Sequence, residues 1–147
     1  MGPKRALVIW YGLWQAGHLV FNAVGLVTGG ASARELLAAG LPEAVWRTMW
    51  VSWAMDFCFA SPLGVLYAVR FVRGGREPRA MGLASLTAAV YSAALCYWVQ
   101  WVHAGRLLLD TPAQWLGLLS FVPCVVLFGW LLFEALRGAG RHRAAGP

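Results

Sequence analysis

Ala54-Met55-Asp56-Phe57-Cys58-Phe59-Ala60-Ser61-Pro62 sits inside an apolar run that extends from Ala44 to Phe71. About 20 such residues suffice to cross a bilayer as a helix. Asp56 falls near the middle of the run, and no other acidic residue is placed so deep in an apolar segment. A carboxylate at the centre of a membrane helix costs about 2.5–3.5 kcal/mol on insertion scales. Such a group faces a protein interior or a wet cavity, and it marks function unless it only hydrogen-bonds a neighbouring helix. Asp56 is the residue to explain.

The chain around it has the composition of a membrane protein. Its residues are 60% hydrophobic and only 12% charged, where ordinary globular chains carry about 25% charged residues. The net charge of +6 could point to nucleic acid, but the basic residues cluster beside apolar runs, which is a membrane-flank pattern. Nucleic acid is therefore excluded as a partner. Four spans are expected, at 6–28, 45–71, 80–103 and 112–136. The first is too long, and lacks the small-residue cleavage site, for a cleavable signal.

Lys4 and Arg5 precede the first span; Arg70, Arg73, Arg76 and Arg79 fill the second connection; Arg137, Arg141 and Arg143 follow the fourth span. The other connections hold Arg34, Arg47 and Arg106, partly balanced by Glu35, Glu43 and Asp110. This asymmetry puts both termini in the cytoplasm, in a bacterial inner membrane or an endoplasmic reticulum. Short connections make sequence neighbours pack side by side. The expected fold is all-α, an integral membrane antiparallel four-helix bundle forming a single domain over 1–137. Residues 33–39 could form a short interfacial helix, and the Gly-, Ala- and Arg-rich tail at 138–147 is expected to be disordered.

Polar side chains interrupt the spans at helical spacing. Gln15, His18 and Asn22 stand at i, i+3 and i+7 and form one stripe on the first helix, extended by Tyr11 and Gly25. Such a stripe either bonds a neighbouring helix or lines a cavity. Gly25 and Gly29 form a GxxxG, a weak signal for close helix contact. In the second helix Trp46 and Trp50 fit an interfacial belt, and Trp53 lies about a turn above Asp56. Pro62 removes a backbone donor and bends the helix. The third helix begins with a small-residue face, Gly82, Ser85, Ala89 and Ala93, and turns polar above it with Tyr91, Cys96, Tyr97, Gln100 and His103. Glu134, near Arg137, reads as a solvated flank.

Depth sorts these residues. At 1.5 Å per residue, His18 lies roughly 18 Å from the cytoplasmic edge and Asp56 roughly 16 Å from the outer edge. Both fall near the midplane of a core about 30 Å thick. Tyr91 comes to a similar level, so His18, Asp56 and Tyr91 can converge, with Asn22, Trp53, Cys96 and Gln100 above them. A haem held by His18 and His103 is excluded, because the two differ by roughly 16 Å in depth. No metal ligands cluster, no other cofactor motif is present, and Cys58, Cys96 and Cys124 imply no disulfide framework.

These residues resemble the EXPERA-domain family of membrane proteins, which includes the emopamil-binding sterol isomerase and the sigma-2 receptor. His18-Leu19 is similar to the family's first-helix histidine region. Asp56 six residues before Pro62 resembles the sigma-2-type acid and proline. Pro62-Leu63, Arg70-Phe71-Val72-Arg73, Tyr91-Ser92 with Leu95, and Phe121-Val122-Pro123 extend the likeness from about Trp10 to Arg137. The resemblance implies a four-helix fold around a lipophilic ligand. Asn22 and Gln100 stand where the isomerase has glutamates, and a neutral amide cannot move the protons that isomerisation needs. Phe121 and Cys124 fall near its fourth-helix asparagine and tryptophan.

The expected function is a midplane cavity for a sterol-, terpenoid- or amine-like ligand. His18 and Asp56 would anchor it, and Gln15, Asn22, Trp53, Tyr91, Cys96, Tyr97 and Gln100 would line it. One alternative is an isomerase or cyclase with His18 and Asp56 as its catalytic acid–base pair. Another is an accessory subunit that docks a partner membrane protein. Membrane lipids and a second copy of the chain in a homodimer are the remaining partners considered.

Overall fold

The computed structural model describes residues 2–27, 42–74, 77–107, 109–110 and 112–144. Among these residues the structure is all helical: α1 (Pro3–Val27), α2 (Glu43–Met55), a π-helical turn (Asp56–Ala60), α3 (Ser61–Arg73), α4 (Arg79–Ala104) and α5 (Pro112–Ala144). The backbone stays right-handed helical through Asp56 and Ser61, so α2, the π turn and α3 form one rod. Gly105 ends α4: it takes the left-handed conformation (φ 66°), and its N–H bonds the Trp101 carbonyl. A residue with a Cβ adopts that conformation at a cost.

Three stretches are long and apolar enough to cross a membrane: Trp50–Arg73, Arg79–Ala104 and Gln114–Gly138. α1, expected as a span at 6–28, is long enough but is not among them. Gln15, His18 and Asn22 in its middle lower its hydropathy. α5 runs past the expected end at 136, and residues 138–144, expected to be disordered, are helical. Ala and Arg are good helix formers, and extending an existing helix avoids the cost of nucleation. The expected short helix at 33–39, Gly29 of the GxxxG, and residues 145–147 lie outside the described residues.

Contacts link α1 with α3, α3 with α4, α4 with α5, and α5 with α1, while α2 packs on α4. Hydrogen bonds give the directions. Lys4, at the start of α1, meets Glu134, late in α5, and the Trp14 indole meets Ser120 higher up, so α1 and α5 are antiparallel. Gln15 meets Ser61 while Tyr11, a turn lower, lies beside Gly64, so α1 and the rod are antiparallel as well. The end that carries Lys4 is termed lower below.

The apolar core fills the lower half only. Val8, Tyr11, Tyr67, Ala68, Leu86, Cys124, Leu127 and Leu131 form one buried cluster. Above Ala89 the buried residues of α4 are Ser92 and Gln100. Outward faces are apolar, with Leu13, Phe21, Val51, Phe59, Leu116, Leu119 and Leu136 all exposed.

The lower end is tied by charge. Lys4 Nζ lies 2.9 Å from the Glu77 carboxylate and 2.7 Å from Glu134 Oε2. Arg79 joins both acids at 3.0 and 3.5 Å. The Tyr67 hydroxyl donates to Glu77 (3.1 Å) and the Trp130 indole to Glu134 (2.9 Å). Glu134 is therefore part of a network that joins the ends of three helices, not a solvated flank. Arg137, expected beside it, stacks on the Phe133 ring at 4.2 Å.

Candidate functional site

The π turn decides which side chains point inward. An α-helix brings residue i+4 round to the face of residue i, whereas a π turn bonds i to i+5. Here the Ser61 N–H bonds the Asp56 carbonyl. Ser52, Asp56 and Ala60 follow the α spacing, and the extra residue adds Ser61 to the same buried face. Pro62 follows at once, and its missing N–H removes a helical bond that the regular spacing would require. One insertion thus aims a carboxylate and two hydroxyls at the interior.

Ser61 opens a closed relay. Its hydroxyl donates to Gln15 Oε1 (2.7 Å), Gln15 Nε2 donates to the Tyr11 hydroxyl (2.8 Å), and Tyr11 pairs with Ser85 Oγ (2.6 Å). Ser85 donates to the Ala60 carbonyl. Because Ser85 has a single proton, committed to that carbonyl, Tyr11 is the donor in the Tyr11–Ser85 bond. The chain runs in one direction and leaves none of its side-chain atoms unpaired, which makes a buried network stabilising. Gly64 makes the approach possible: a Cβ there would lie 2.7 Å from Gln15 Cγ and 2.9 Å from Ser85 Oγ.

Above this relay the pairing is incomplete. The Ser92 hydroxyl lies 3.0 Å from Asp56 Oδ2 and 3.2 Å from the Ser52 carbonyl. Asp56 Oδ1 and Asn22 Nδ2 are buried without a hydrogen-bond partner among the described residues, and the Ser52 hydroxyl meets only the Cys96 thiol, a weak partner. Asp56 and Asn22 are each 9% exposed and Ser52 is 3% exposed. A buried polar group left unpaired costs about 1–3 kcal/mol, and more when it is charged. Two such atoms in one region call for a partner that the described residues do not supply.

Register places Asn22 among them. Gln15 contacts Ser61, and Asn22 stands on the same face of α1, two turns or about 10 Å higher. On the antiparallel rod that rise from Ser61 ends between Asp56 and Ser52, and α1 touches the π turn. Asn22, Ser52, Asp56 and Ser92 therefore share one level.

The remaining expected site residues divide. Gln15 is buried, but it belongs to the relay below. Gln100 is buried higher on α4, and Trp53, Cys96 and Tyr97 are half-buried. His18 does not meet Asp56: no hydrogen bond or ion pair joins them among the described residues, and the His18 ring lies 4.0 Å from the Trp14 ring. Three residues past Gln15, it is turned about 60° off the face that meets the rod. Tyr91 points away from the interior, 68% exposed. Its neighbour Ser92 takes the inward position instead.

Ser61, Ser85 and Ser92 are the buried hydroxyls that sequence reading did not single out: the first two belong to the relay, and Ser92 faces Asp56. Ser92 falls seven residues after Ser85, on the small-residue face already evident in the sequence. That spacing was the available signal. Among the described residues no three His, Cys, Asp or Glu side chains gather as a metal site. A surface concavity lined by Glu77, Pro78, Arg79, Ala80 and Met81 lies at the lower end, away from Asp56. No family model, curated protein or solved structure matches the chain.

Proposed function

We propose that the chain is an integral membrane protein, an antiparallel four-helix bundle with both termini cytoplasmic, that binds a lipophilic molecule through Asp56. The carrying observation is Asp56 Oδ1, buried and unpartnered at a π turn. A carboxylate at that depth has to be neutral, paired or ligated. In the described structure Asp56 meets only a Ser hydroxyl. A ligand ammonium or hydroxyl would complete the pairing, and its apolar body would rest among the half-buried rings near Trp53. The apolar outward faces support a lipid surrounding, since water-soluble monomers seldom expose apolar patches so extensive. The EXPERA resemblance belongs to the same reading, and a sterol, terpenoid or hydrophobic amine is the ligand class it suggests.

Equilibrium binding of lipophilic amines to the purified protein tests the reading. Asp56→Asn keeps the shape and removes the charge, so amine affinity should fall about tenfold or more. Neutral sterol affinity should change less. Equal amine affinity in the two proteins would remove Asp56 as the anchor. Turnover of a candidate lipid would favour the isomerase or cyclase alternative, and stoichiometric co-purification of a second membrane protein would favour the accessory subunit. An impermeant thiol reagent should label Asp110→Cys from outside the cell and leave Arg73→Cys unlabelled; the reverse would invert the topology.

A further inference from the structure

Two unpartnered atoms, Asp56 Oδ1 and Asn22 Nδ2, differ in what they ask of a ligand, and the Ser52 hydroxyl stands beside them against the Cys96 thiol. Asp56 Oδ1, on an ionised carboxylate, accepts a hydrogen bond, whereas Asn22 Nδ2 can only donate one. The Ser52 hydroxyl does either. A simple alkylamine presents donors alone in its ammonium form. It can satisfy Asp56 and Ser52, but it leaves the Asn22 N–H unmet. A simple alcohol has one proton, which can go to Asp56 while its oxygen accepts from Asn22, but it brings no charge to the carboxylate. A quaternary ammonium offers charge and no donor at all.

Of these head groups, one with an ammonium and an adjacent hydroxyl answers both atoms and the charge. The ammonium supplies charge and a donor to Asp56 and a second donor to Ser52. The hydroxyl oxygen accepts from Asn22. The level shared by Asn22, Ser52 and Asp56 suits a head of that size, because Ser52 and Asp56 stand one helical turn apart, about 6 Å. We infer that the site selects a long-chain vicinal amino alcohol over the corresponding amine, alcohol or quaternary ammonium. The inference rests on the proposed role of Asp56 and assigns Asn22 as the residue that reads the hydroxyl.

Four amphiphiles with one hexadecyl chain test it: the primary amine, the alcohol, the vicinal amino alcohol and the trimethylammonium salt. Binding to the full-length protein in detergent is measured by titration for each. The amino alcohol should bind about fivefold tighter than the amine, the worth of one net hydrogen bond, and the trimethylammonium salt should bind weakest. Asn22→Leu, similar in size and without polar atoms, should bring the amino alcohol down to the level of the amine. Helical circular dichroism and detergent-state unfolding of the same variant report that it is folded. If Asn22→Leu lowers amine affinity as well, Asn22→Ser, which keeps a donor, should restore preference for the amino alcohol. Equal affinity of amine and amino alcohol, unchanged by Asn22→Leu, would overturn the inference and leave Asp56 as the anchor. Failure of all four to bind would overturn the proposed function itself.

Discussion

The two halves of this molecule treat buried polarity in opposite ways. In the lower half, Ser61, Gln15, Tyr11 and Ser85 pass hydrogen bonds along a closed line, and Lys4, Arg79, Glu77 and Glu134 neutralise one another beneath it. In the upper half, from one turn above Ser61, Asp56 and Asn22 keep an unpartnered atom each, and Ser52 meets only a thiol. Both sets come from similar helices, and one π turn aims residues into both. The lower polarity pairs within the fold, and under the proposed function the upper polarity serves a ligand. A fold gains nothing from a carboxylate it does not pair.

Substitutions can break or sharpen this contrast. The largest effect should come from Gly64→Leu, which drives a side chain between Gln15 and Ser85 and parts the relay from its packing. Overpacking alone costs about 1–3 kcal/mol, and the unpaired Gln15 and Tyr11 add about as much again. Detergent-state unfolding should show either a loss of several kcal/mol or no folded protein. A mild response would mean that the relay is not tightly held.

Lys4→Met should come next. It leaves Glu77 and Glu134 facing each other with only Arg79 between them. The groups are partly exposed, so the loss should be about 1–2 kcal/mol, below the cost of breaking a fully buried pair. Ser52→Ala, in the upper half, removes a hydroxyl that meets only the weak Cys96 thiol and should change unfolding free energy by less than about 1 kcal/mol. Ser61→Ala, an identical chemical change two helical turns away, should cost about 1–3 kcal/mol, because it strands Gln15 Oε1. Equal effects at Ser52 and Ser61 would erase the distinction between the halves.

The smallest effect is expected where charge is fully exposed. Arg106 holds the Asp110 carboxyl below the usual carboxylate range through a 2.7 Å ion pair. A folded value depressed in this way contributes stability above the ordinary aspartate value of about 3.9, and that contribution is lost as pH falls through the folded value. Both side chains are open to water, which screens them. Asp110→Asn should leave neutral-pH stability unchanged within error.

Much of the helical layout is legible in the residues. The turns fall where Gly, Pro and charge interrupt apolar runs, and the expected spans meet the observed helices within a few residues, except at the end of α5. Asp56 stands out because its cost in an apolar run is local. The arrangement of the site is harder to read because it depends on rotation. One residue turns a helix by about 100°, so naming Tyr91 for Ser92 exchanges an outward ring for the hydroxyl on Asp56. His18 and Gln15 share a stripe, and only the position of the rod decides which of them faces it. The π turn has no periodic signature of its own; Pro62 hints at a disturbance without saying that Asp56 and Ser61 will share a face. Glu134 could not be paired with Lys4 from sequence, because that contact spans 130 positions.

The central claim is that Asp56 is kept for a ligand and not for the fold. The most direct test compares the unfolding free energies, in detergent and without added ligand, of two nearly isosteric variants. Gln15→Met deletes the centre of the relay, strands the Ser61 hydroxyl and removes the bond that Tyr11 accepts, so it should lose about 2–4 kcal/mol. Asp56→Asn removes a desolvated charge whose only partner is Ser92, so its stability should equal or exceed that of the parent. A loss at Asp56→Asn as large as that at Gln15→Met would contradict the account and make Asp56 a structural residue.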